Sequence, residues 1–139
     1  MKDSINVKWA GDMAFETSID GHRIIVDAKP EAGGFNKGPR PKPLLMLSLA
    51  GCTAMDVISI LKKMKVEIKD FQIKVEGDIT EEHPKHFTKI HLIYEFTGTD
   101  LPTDKINHAI ELSQEKYCGV SATLKKSVHI SYEIKLNNS

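Results

Sequence analysis

Apolar and polar residues alternate in two short runs near the start of the chain, Ile5-Val7-Trp9 and Phe15-Thr17-Ile19. A period of two is that of a half-buried strand. Asp20-Gly21 then supplies a dipeptide suited to a two-residue hairpin turn, and a third strand follows from His22 to Asp27. Beyond it the alternation stops. Four of the six prolines (Pro30, Pro39, Pro41 and Pro43) lie in or at the end of AKPEAGGFNKGPRPKP, together with Gly33, Gly34 and Gly38. The composition predicts a long surface loop over Ala28 to Lys42, either functional or a connector from sheet to helix.

From Pro43 to Lys65 the period becomes helical. Leu44, Leu45, Met46, Leu47 and Leu49 are apolar on every side, and only from Asp56 onward do Asp56, Ser59, Lys62 and Lys63 separate the apolar positions. A helix apolar all round at one end has to be covered all round there. Pro41 and Pro43 suit its first turn, and Lys62, Lys63 and Lys65 suit the negative end of its dipole. The unbroken apolar part is shorter than the roughly 20 residues that cross a bilayer, so the expectation is a core helix and no membrane association.

Strand periodicity returns in Phe71-Ile73-Val75 and in FTKIHLIYEF, joined by the polar TEEHPKH, which together predict a hairpin. Leu101-Pro102-Thr103-Asp104 opens a second helix with Ile106, Ala109, Ile110, Ser113 and Tyr117 at helical spacing, ending near Cys118-Gly119. A helical turn over Ser121 to Lys126 leads to a last strand in which Val128, Ile130, Tyr132, Ile134 and Leu136 alternate. This order predicts an α+β fold, antiparallel sheets around a long buried central helix, in a single domain spanning residues 1–139. One sheet and one amphipathic helix are too little to cover the Leu44 to Leu49 end, so a homodimer is expected.

Composition narrows the function. Lys plus Arg and Asp plus Glu both number 19, leaving no net field to draw the protein to nucleic acid or an anionic surface. The opening MKDSINVKW has no apolar run after its charges, and there are only two cysteines, which together point to a cytoplasmic protein with reduced thiols. Neither Cys52 nor Cys118 has another cysteine or a histidine at ligand spacing, so no metal site is expected from the sequence.

The two cysteines are either small buried hydrophobes or a redox pair, with the Cys52 thiolate attacking the O–O bond of a peroxide and Cys118 condensing with the sulfenic acid. The first step needs a thiolate, and an unperturbed thiol has a pKa of about 8.5. Cys52 lies roughly two and a half turns inside its helix, too deep for the helix dipole to act strongly. A cationic side chain is therefore required, and the chain has only two arginines, Arg23 and Arg40. Arg40, just before the cysteine helix, is the better placed; its alternative role is that of a solvated loop residue.

GPRPKPLLMLSLAGCTAMDVISILKKMK followed by EKYCGVSATLKKSVHISYEI, with the opening VKWAGDMAFE and GHRIIVD, resembles the OsmC/Ohr superfamily of osmotically inducible and organic hydroperoxide resistance proteins over essentially the whole chain. The resemblance implies an intertwined α+β homodimer with two sites at the subunit interface. It also implies a peroxidatic role for Cys52 and a resolving role for Cys118, reduction of organic hydroperoxides, no cofactor, and an external dithiol such as dihydrolipoamide as reductant. Pro43 stands where active members usually carry a glutamate that pairs with the activating arginine; relative to the hydroperoxide-resistance branch, Gly11-Asp12-Met13-Ala14 contains no arginine and Tyr117-Cys118-Gly119-Val120-Ser121 lacks that branch's Cys-Pro-Tyr. These place the chain near a less characterised OsmC-like branch. The expected activity is a thiol peroxidase acting on small hydrophobic peroxides. The alternative, motivated by Pro43, is a small-ligand-binding or redox-sensing protein with the same fold.

Overall fold

In a computed structural model all of residues 1–139 are described, and their contacts group into two compact units, Met1–Leu45 and Met46–Ser139. In the first, strands β1 (Lys8–Trp9), β2 (Phe15–Ile19) and β3 (His22–Val26) form an antiparallel meander in the order β1-β2-β3. Ile19 pairs with His22 across the expected two-residue turn, where Asp20 and Gly21 both have positive φ (52° and 81°). That is the backbone twist a tight hairpin requires, and the reason this dipeptide signals one.

The proline-rich loop is folded rather than open. Asp27, 3% exposed, accepts backbone N–H bonds from Ala28 at Oδ1 and from Phe35 and Lys37 at Oδ2. The Lys37 N–H, helped by those of Phe35 and Ala28, holds the Asp27 carboxyl below its ordinary pKa despite the opposing cost of burial. Gly34 runs so close to the Ala28 carbonyl that a β-carbon would overlap it. A short 3₁₀ turn, Pro30–Ala32, completes the loop.

Helix α1 (Pro41–Lys63) starts at the end of the first unit and continues through the second, two residues ahead of the expected boundary at each end. Its buried residues are Leu49, Thr53, Val57 and Leu61, a single stripe at intervals of four. The expectation that the helix is covered all round is not met within one chain: Leu47 is 65% and Met55 75% exposed. By length and composition alone α1 could cross a bilayer. One of its faces, however, is engaged inside the second unit.

The second unit contains β4 (Asp70–Ile79), β5 (Phe87–Gly98), α2 (Thr103–Leu112), α3 (Gly119–Leu124) and β6 (His129–Asn138), with β5 central in the order β4-β5-β6. The β4/β5 hairpin is antiparallel, but β6 runs parallel to β5. This corrects the expectation of purely antiparallel sheets: the helical segment between β5 and β6 carries the chain back to the starting end of β5, as parallel pairing demands. The core joins Leu49, Val57 and Leu61 of α1 to Ile90, Leu92, Tyr94 and Phe96 of β5 and to Ile106, Ala109 and Ile110 of α2. Phe71 stacks on Phe96 with ring centroids 4.3 Å apart.

Candidate active site: two thiols and a carboxylate on a buried polar chain

Cys52 occupies the fourth turn of α1, and Asp56, one turn later, lies on the same helix face because residues four apart are neighbours there. The second thiol arrives through a local irregularity. After α2 the chain makes a π-helical turn, Ser113–Tyr117, and Cys118 then caps α3, with its N–H bonded to the Ser113 carbonyl (2.8 Å). Such turns carry one residue more than an α-helical turn and are frequent at functional sites. This one turns Ser113 and Gln114, adjacent polar residues, both into the interior.

The ligand-type atoms of Cys52, Asp56 and Cys118 all lie within 4.8 Å of one another, and both cysteines are free thiols. The two cysteines proposed from sequence are thus brought together. Cys52 is half-buried, whereas Cys118 is 3% exposed and its sulfur accepts the Ser121 N–H (3.3 Å). Burial is the main reason the Cys118 thiol is pushed up to about 11; the Ser121 N–H opposes the shift, while the neighbouring Cys52 and Asp56 add to it.

Behind the thiols lies a chain of hydrogen bonds whose direction follows from one carboxylate. Asp56 Oδ2 accepts from the Ser113 hydroxyl (2.9 Å). Having spent its hydrogen, Ser113 must accept from Thr53 (2.7 Å), and Thr53 in turn must accept from the Tyr94 hydroxyl (2.7 Å). Gln114 Nε2 donates to Tyr94 (2.8 Å) and Thr53 (3.3 Å), and its oxygen accepts from Ser121 (2.9 Å). No buried side-chain polar atom is left without a partner. A fully satisfied buried network of this kind sets one conformation for the elements it joins, here α1, β5, the π turn and α3. Burial raises the Tyr94 hydroxyl to about 12, keeping it a neutral donor.

Arg40, the third residue proposed from sequence, donates from its guanidinium to the Gly38 carbonyl (2.8 Å) and to Asn36 Oδ1 (2.7 Å) in the loop that precedes α1. Arg23 is paired with Glu16 across the β2/β3 hairpin. Sequence reasoning passed over Asp56, Thr53, Tyr94, Ser113 and Gln114. The Cys52-Thr53-x-x-Asp56 spacing, which puts a thiol and a carboxylate on one helix face, was the available signal for the first.

The comparisons with known proteins agree with this architecture. The profile described as OsmC-like protein matches residues 34–133. The protein YhfA of Escherichia coli is 37% identical over 131 residues, covering 92% of this chain and 95% of YhfA. A crystal structure of a hypothetical protein from Aquifex aeolicus is 31% identical, with a TM-score of 0.82 over 98% of both chains. The organic hydroperoxide resistance protein OhrB of Bacillus subtilis shares the fold, with 19% identity and a TM-score of 0.65 over 96% of this chain and 98% of that one. With one family profile covering most of the chain and a relative above 30% identity along nearly all of it, the chain belongs to the OsmC-like protein family.

Proposed function

We propose that the protein is a thiol peroxidase that reduces organic hydroperoxides with Cys52 and Cys118, working in the cytoplasm as a homodimer with an external dithiol as reductant. The observation that carries this reading is that two cysteines from distant parts of the chain, one half-buried and one buried, lie within 4.8 Å of each other beside a carboxylate. The shared fold with an organic hydroperoxide resistance protein supports the substrate class.

Cys52, the more accessible sulfur, attacks the terminal oxygen of the hydroperoxide; the O–O bond breaks, leaving Cys52 sulfenic acid and an alkoxide. Asp56 takes the thiol proton and returns it to the alkoxide, so an alcohol leaves. Cys118, held protonated by its surroundings, then forms the S–S bond with Cys52, its proton departing with the sulfenic hydroxyl as water. The external dithiol reduces this disulfide and is itself oxidised. Arg40 is the proposed activating cation for the Cys52 of a second copy of the chain, because about 12 residues of helix, roughly 18 Å, separate it from the Cys52 of its own. The exposed Leu47 and Met55 side of α1 is the surface a second copy of the chain covers; apolar residues of that size on one helix face are otherwise costly to leave in water.

The test is turnover of cumene hydroperoxide with dithiothreitol by the full chain. Wild type should exceed the Cys52→Ser variant by orders of magnitude, and equal rates refute the reading. A protein that forms the Cys52–Cys118 disulfide once with hydroperoxide but does not turn over is the redox sensor, the second reading motivated by Pro43.

A further inference from the structure

Cys52, Asp56 and Cys118 are also a donor set of the kind that holds a thiophilic divalent cation. We propose that the reduced site binds one zinc-class ion through Cys52 Sγ, a carboxylate oxygen of Asp56 and Cys118 Sγ, with the fourth position left to water or an incoming ligand, and that disulfide formation expels it.

Spacing along the chain hides this site, because its donors come from two separate helices. In the fold, Cys52 and Asp56 present a thiol and a carboxylate one turn apart on α1, and Cys118 faces them from the cap of α3. Their donor atoms lie within 4.8 Å of one another. Metal–sulfur and metal–oxygen bonds of about 2.3 and 2.1 Å put tetrahedral ligands roughly 3.5 to 3.8 Å apart, so side-chain shifts of about an ångström close the set.

The second argument is the supporting shell. Metal ligands are oriented by outer hydrogen bonds, and those bonds are already made here. The Ser113 hydroxyl fixes Asp56 Oδ2 and is itself fixed by Thr53, while the Ser121 N–H points at Cys118 Sγ. The partners of Asp56 and Cys118 are thus donors that stabilise negative charge on a ligand without competing for the cation.

The proposal goes beyond peroxide chemistry and does not depend on it. Because the two sulfurs cannot both ligate an ion and bond to each other, occupancy and the disulfide state exclude one another. The site is therefore a cation store that opens on oxidation, or one whose thiols are masked while it is filled.

The experiment uses reduced, full-length protein titrated with cadmium alone, read by the thiolate-to-cadmium charge-transfer absorption, and with zinc against a colorimetric chelator. We expect one ion per chain. Cys52→Ser, Cys118→Ser and Asp56→Asn should each weaken binding at least about tenfold, and Ser113→Ala, which only orients Asp56, about tenfold. The disulfide form should bind no ion. Circular dichroism establishes that each variant is folded, and Asp56→Asn and Ser113→Ala keep both thiols, so they test the ligand set even where a cysteine variant fails to fold. Unchanged affinity in Asp56→Asn and Ser113→Ala, or an ion retained by the disulfide form, overturns the proposal. Peroxide turnover is not read, so loss of the peroxidase reading and loss of this one remain distinguishable.

Discussion

The direction of the buried hydrogen-bond chain can be tested by comparing two single-atom deletions, Ser113→Ala and Tyr94→Phe. If hydrogens run from Tyr94 through Thr53 to Ser113 and end on Asp56, the two hydroxyls are unequal. Ser113→Ala leaves the Thr53 hydroxyl with no acceptor for its hydrogen and takes the donor from Asp56 Oδ2. Both losses are in a buried setting, where Ser113 and Thr53 are each 0% exposed. A bond to a charged group contributes about 1.5 to 3 kcal/mol, and an orphaned buried donor costs about 1 to 3 kcal/mol. Ser113→Ala should therefore destabilise by roughly 2 to 4 kcal/mol, short of full additivity because the lost bonds share one atom. Tyr94→Phe takes a donor from Thr53, whose oxygen Gln114 still reaches at 3.3 Å, and leaves one Gln114 Nε2 hydrogen without its acceptor at 2.8 Å, but it breaks no bond to a carboxylate. Its cost should be about 1 to 2 kcal/mol. The assay is urea unfolding followed by circular dichroism at one fixed protein concentration and neutral pH, with the slope checked for constancy. If Tyr94→Phe proves the more costly substitution, the hydrogens run the other way and the assignment is wrong.

Other outcomes follow from the same structure. Asp27 has a folded pKa below its ordinary value of about 3.9, so the stability it contributes is present above that pH and is lost as pH falls through the folded value. The stability gap between wild type and Asp27→Asn should accordingly be widest near neutral pH and shrink in acid unfolding below about pH 4; a gap that grows in acid would contradict the sign. Gly34→Ala should disturb the proline-rich loop, because the added methyl group meets the Ala28 carbonyl; hydrogen exchange at the Phe35 and Lys37 amides, which bond Asp27, should speed up. Leu47→Glu and Met55→Glu change exposed positions of α1, so each should leave secondary structure intact while shifting sedimentation from dimer to monomer; a sedimentation coefficient unchanged from wild type counts against a second copy covering that face. Arg40→Met should slow hydroperoxide turnover without abolishing folding, and rates equal to wild type remove Arg40 from the mechanism.

Much of the fold was legible because local periodicity carries it. Strands β2, β4, β5 and β6 alternate with period two, Asp20-Gly21 requires a backbone few other dipeptides tolerate, and the apolar density of α1 forces a long helix whatever surrounds it. These are properties of residues near one another in the chain. The two cysteines were also visible, as residue types able to do redox chemistry, and so was the family pattern around them.

What periodicity could not carry was anything set by the return of the chain. Whether β6 runs parallel or antiparallel depends on the length and path of the segment before it, and the alternation of Val128 to Leu136 reads the same either way. The π turn that directs Ser113 and Gln114 inward has no composition of its own, and it is what caps α3 with Cys118. Asp56 read as the first polar residue on an amphipathic helix, a solvated position by pattern. Only the packing of α3 and the π turn against α1 made it the acceptor at the end of a buried chain and the neighbour of both thiols. The sequence by itself determined which segments become helix or strand and which residues have reactive side chains. Tertiary structure alone decided which of them meet, because proximity between distant segments arises from the burial of apolar faces and the satisfaction of buried polar groups, and neither quantity is local.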